Sequence, residues 1–145
     1  MKSVRSRYIG IAILAIIIGG LIYLLFRSEQ HVLVRMTLNS FLGNVLASVR
    51  TQTLTWVISD WIIFSLPDGL WLLSYILTMK FIWKDNLNEV GFIFISIMPI
   101  SALLLEFLQI IHICPGTFDF LDIVAYVLPT LLIIPNIIHY ERKTV

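Results

Sequence analysis

Long apolar runs alternate with short polar breaks along the chain, and the breaks set the elements. No charge interrupts the run from Ile9 to Phe26, which Lys2, Arg5 and Arg7 precede and Arg27 closes. About 20 apolar residues span a hydrocarbon core of about 30 Å, so a membrane helix is predicted over about 9–26. The sequence LIYLLFRSEQ follows, with no small-residue cleavage site, which favours a retained helix over a secretory signal. Gly19 and Gly20 either mark a close-packing point against another helix or make the helix pliable.

From about 34 to 49, Val34, Leu38, Phe41, Leu42, Val45, Leu46 and Val49 recur at helical spacing, and polar residues take the other side. The segment is too polar to cross a membrane and is expected to lie in the interface or to cap the bundle. In SLPDGLW, Ser65, Pro67 and Asp68 read as a helix start: a capping hydroxyl, a proline for the first turn and an acid for the positive dipole end. A second span is therefore predicted over about 67–83, with Trp71 and Trp83 as interfacial anchors and Lys80 snorkelling toward Lys84. Residues 54–64 become a surface-lying or re-entrant approach, or join the helix through a kink at Pro67. After the hydrophilic turn KDNLNE, spans are predicted over about 90–113, bent at Pro99, and about 121–138.

Composition strengthens this reading. Hydrophobic residues make up 59% of the 145 and charged ones only 13%, against about a quarter charged in soluble domains. The net charge of +1 matters less than where the basic residues sit. With the N-terminus inside, one side receives Lys2, Arg5, Arg7, Lys80, Lys84, Arg142 and Lys143, and the other keeps Arg27, Arg35 and Arg50. Both termini are thus expected in the cytoplasm. No basic stripe interleaved with aromatics points to nucleic acid. The single Cys114 has no intrachain partner and reads as a structural cysteine in an apolar turn.

Candidate chemistry concentrates in EFLQIIHICPGTFDFLD, Glu106 to Asp122. Glu106 stands within an apolar helix, roughly 12 Å below the turn at Pro115 and Gly116. A carboxylate at that depth marks a site or a sealed polar network. Gln109 and His112 follow at successive i+3 steps and share its face. Asp119 and Asp122 open the last helix, Asp119 chiefly as its cap and Asp122 placed to face Glu106 across the turn. Two or three carboxylates and a histidine can hold a hard cation or share protons. The chain has no H-E-x-x-H, no G-x-S-x-G and no phosphate-binding loop, and it implies no metal or cofactor.

Glu106, Gln109 and Asp122 form an E-x-x-Q, outward turn, then acid pattern that resembles the VanZ-like family of small bacterial membrane proteins; Asp68 sits where such proteins often carry an earlier acid. The resemblance covers about the second half of the chain. The turn lacks the arginine usual in the family, and Tyr126 and Pro129 stand where asparagine and glycine are usual. The resemblance implies a four-helix membrane fold and a link to the bacterial envelope, including reduced sensitivity to teicoplanin-type glycopeptides.

The expected architecture is all-α: a polytopic bundle of four transmembrane helices with one interfacial amphipathic helix, in a single domain over 1–145. The expected location is the bacterial inner (cell) membrane, with membrane lipids as surroundings and no fixed oligomeric state. Three functions fit: an amphipathic ligand, lipid or antibiotic, bound at Asp68, Glu106, Gln109 and Asp122, with Asp119 and His112 nearby; an enzyme acting on a lipid-linked head group; or a structural subunit of a membrane complex.

Overall fold

A computed structural model describes residues 2–53, 55–83 and 88–133, with residues 2–6 as backbone only. The described residues form helices α1 (Lys2–Phe26), α2 (Val32–Leu38), α3 (Gly43–Thr53), α4 (Asp60–Trp83), α5 (Glu89–Ile110) and α6 (Phe120–Thr130), the last continued by a 3-10 turn, Leu131–Ile133. Three of them are long and apolar enough to cross a membrane: Arg7–Phe26, Asp60–Trp83 and Glu89–Ile110. The rest of the span expected over 121–138 lies outside the described residues, as do Lys84, His139 and the charged end with Arg142 and Lys143.

Packing in α1 is inside-out relative to a water-soluble protein. Its buried positions are Ala12, Ala15 and Gly19, whereas Ile13, Leu14, Ile16, Ile17 and Leu21 are exposed. Small residues let helix backbones approach, and large aliphatic ones suit lipid. Gly19 is the closest point: a Cβ there would stand 2.9 Å from Trp71 Nε1 and 3.2 Å from the Pro67 carbonyl. Gly20 has nothing within 4 Å, so only the first glycine is a packing site. The two helices run antiparallel. At one end Arg27 Cζ lies 4.7 Å from the Phe64 ring centre, and at the other Lys80 Nζ lies 5.6 Å from that of Tyr8.

Helix α4 corrects the expectation for 67–83. It starts at Asp60, with Pro67 in its interior and residues 60–64 already helical. A proline within a membrane helix is tolerated when neighbours re-satisfy the backbone it disturbs. Arg27 Nη2 donates to the Phe64 carbonyl at 3.4 Å in that turn. Ser65 is fully buried rather than a cap. The earlier start places Trp71 mid-helix, where its ring packs 5.2 Å from that of Tyr23 instead of marking an interface. Trp83 does lie at the helix end, stacked on Phe94. Lys80 Nζ donates to the Leu132 carbonyl at 2.9 Å, joining α4 to the end of α6.

The single amphipathic helix expected over 34–49 is two helices bent by 118°. Ser40 Oγ donates to the Thr37 carbonyl and accepts from Leu42 N–H, diverting the backbone from the helical ladder. At Gly43 a Cβ would lie 1.8 Å from the Leu38 carbonyl, so only glycine fits the corner. Because α1 ends and α4 begins at the same end of the bundle, the α2–α3 pair leaves and returns on one side. It closes that end, with Arg50 donating to the Leu24 and Arg27 carbonyls at the C-terminus of α1. Phe41, Trp56 and Val57 are exposed there.

Helices α5 and α6 complete the bundle. Leu72, Ile76 and Ile95 form a small core with Tyr75, Met79 and Tyr126 against it, and the Tyr75 hydroxyl donates to the Phe94 carbonyl. Gly69 abuts Ala125: a Cβ at 69 would stand 2.8 Å from the Ala125 carbonyl.

Candidate functional site

Four helices bring polar side chains to the end of the bundle closed by α2–α3. Pro67 and its neighbours set the local geometry of α4, with Ser65 and Asp68 one turn apart on one face. Glu106 and Gln109 approach from the last turns of α5, and Asp122 from the first turn of α6. Arg27 arrives from the end of α1.

The link between α5 and α6 is built by backbone geometry. His112 N–H donates to the Gln109 carbonyl and Ile113 N–H to the Leu108 carbonyl. His112 has φ 56°, so it takes the left-handed position that ends a helix in this motif. Its side chain is exposed, and it terminates α5 instead of extending the Glu106–Gln109 stripe. Gly116 has φ 131°, and a Cβ on it would stand 2.7 Å from Gln109 Nε2. Glycine is needed there both for conformation and for the amide packed beneath it. Asp119 caps α6, its carboxylate accepting from Leu121 N–H at 2.8 Å, while its backbone lies against the Glu106 carboxyl group.

These elements bring Asp68, Glu106 and Asp122 into mutual electrostatic range, with Asp119 beside Glu106. Glu106 is only 4% exposed, and its Oε2 has no hydrogen-bond partner in the protein. The same holds for Ser65 Oγ, Gln109 Oε1, Asp122 Oδ1 and Arg27 Nε. A buried polar atom left without a partner costs about 1–3 kcal/mol. Several at one end of a bundle therefore mark a place prepared for hydrogen bonding. Among the described residues, no three His, Cys, Asp or Glu side chains are grouped so that they could hold a metal ion.

Three participants were not legible as such in the sequence. Arg27, counted there only as an orientation charge, acts electrostatically on Asp68 and supplies from α1 a cation that the 112–120 turn lacks. Ser65, read as a cap, is a buried hydroxyl of the site. Tyr126, one turn beyond Asp122, lies within electrostatic range of Asp68, Asp122, Glu106 and Arg27. The available signal was its i+4 spacing from Asp122.

Compared with models of known protein families, with curated proteins and with solved structures, the chain finds no match.

Proposed function

We propose that the chain is a VanZ-like multi-pass protein of the bacterial cell envelope that binds an amphipathic ligand, a lipid or a glycopeptide-type antibiotic, at the outer leaflet. In this reading α1, α4 and α5 cross the inner membrane with the shorter apolar helix α6 packed beside them, and the four crossings expected from the sequence leave both termini cytoplasmic. The excess of basic residues on the opposite side supports that orientation. The α2–α3 pair then rests in the outer interface, with Phe41, Trp56 and Val57 turned toward lipid. One observation carries the functional part: Asp68, Glu106 and Asp122 converge while Glu106 Oε2 and Asp122 Oδ1 have no protein partner. Groups committed to a structural network would satisfy one another.

Binding of a fluorescent amphiphile to the purified protein in mild detergent tests this reading. Glu106→Gln with Asp122→Asn keeps side-chain volume and removes both charges. The expected result is affinity weakened at least about tenfold, or about 1.4 kcal/mol, with loss of any glycopeptide protection in cells at normal protein levels. Unchanged binding and unchanged protection by a folded double variant would overturn the proposed site.

A further inference from the structure

Between α4 and α6, two of the four helices that carry the polar cluster, lies an apolar groove of about 340 Å³. Leu66, Leu70 and Leu73 of α4 and Leu121 and Leu128 of α6 line it, with Gly69 against Ala125 where the helices touch. Its volume falls in the range of small-molecule sites, about 300–1,000 Å³. Gly69 and Leu121 are each next in sequence to a site acid, Asp68 and Asp122. Successive helical residues rise about 1.5 Å and turn about 100°, so the groove stands at the depth of the acids on an adjacent face of α4 and α6, where the tail of an amphiphile held at the acids can lie.

The polar atoms select the head group. Glu106 Oε2, Gln109 Oε1 and Asp122 Oδ1 are three acceptors without a partner, and Ser65 Oγ can also accept. A primary ammonium offers three N–H donors and accepts nothing. It also relieves the mutual repulsion of carboxylates gathered in one place. Arg27 Nε and Arg50 Nε are the unpartnered donors on the same side; Arg50 is already held by the Leu24 and Arg27 carbonyls, which leaves Arg27 as the one suited to an anionic oxygen. Resting on the amphipathic-ligand reading above, we infer that the occupant is a phospholipid with a primary ammonium head group. Its ammonium meets Glu106, Gln109 and Asp122, its phosphate meets Arg27, and one acyl chain lies along the α4–α6 groove.

Phosphatidylethanolamine, phosphatidylcholine and phosphatidylglycerol with identical acyl chains separate the possibilities when lipid retained by the full chain is counted by native mass spectrometry. Phosphatidylcholine keeps the charge but loses every N–H donor, so this comparison needs no variant. The expected result is retention of phosphatidylethanolamine at least about tenfold above the other two, corresponding to about 1.4 kcal/mol. Glu106→Gln with Asp122→Asn should reduce it to the phosphatidylcholine level, and Leu128→Trp, which fills the groove, should lower it with the acids intact. Equal retention of all three lipids that still falls in the double variant would overturn the ammonium assignment and leave the amphipathic-ligand reading standing. Equal retention insensitive to both variants would mean annular lipid only and overturn both. No retained lipid at all would also overturn the inference.

Discussion

Replacing Arg50 by alanine is expected to destabilise the protein by about 1.5–3 kcal/mol, the range for losing hydrogen bonds to a charged group. Arg50 is 4% exposed, and its guanidinium donates to the Leu24 and Arg27 carbonyls. These are among the last carbonyls of α1, which have no partners within the helix and sit at its negative dipole end. Arg50 ties α3 to α1, so its loss also releases the α2–α3 pair. Thermal unfolding of the purified protein in detergent should show a large fall in Tm, and Arg50→Lys should recover only part of it because a compact ammonium lacks the planar fork. Amphiphile binding should weaken as well, since the Arg27 backbone is held by the same guanidinium. An unchanged Tm would mean that the cap carries no stability.

Gly69→Leu is the second large effect. A Cβ at position 69 would stand 2.8 Å from the Ala125 carbonyl and 3.0 Å from its Cβ. The first is closer than real contacts come and the second is very tight, and the backbone atom cannot swing aside as a flexible side chain would. Helices α4 and α6 must separate, which costs about 1–3 kcal/mol for overpacking and sometimes more. Separation also draws Asp68 from Asp122 and reshapes the groove, so Tm and binding should fall together. Gly20→Leu is the matched control: nothing lies within 4 Å of its Cβ position, and a change within about 0.5 kcal/mol is expected. Equal effects of the two substitutions would contradict close packing at Gly69.

How far the fold was readable follows from which signals are local. The runs that became α1 and α5 are bounded by charges and polar turns, and the apolar pattern alone places them. The start of α4 was displaced because Ser65, Pro67 and Asp68 mimic a cap. Pro67 stands inside a helix that continues on both sides of it, and no local spacing reveals that. The corner between α2 and α3 depends on how closely Gly43 approaches Leu38, a three-dimensional fact. In the site, Glu106, Gln109 and Asp122 were visible because an acid within an apolar helix stands out and i+3 spacing aligns its neighbours. Asp119 was visible as a cap, and it does accept from Leu121 N–H. Arg27 was not, because no sequence separation links the end of α1 to Asp68, and Tyr126 offered only its i+4 spacing from Asp122, which a core tyrosine in an apolar helix could equally show. His112 shows the converse: its spacing placed it on the stripe, and the left-handed turn removes it.

The central claim is a polar crevice that opens to the outer face. A cysteine at Asp122, introduced as Asp122→Cys in a Cys114→Ser background, tests it directly with a membrane-impermeant thiol reagent on intact cells. Modification from outside, slowed by a bound amphiphile, is the expected result. Modification only after the membrane is permeabilised, or none under either condition, would contradict it.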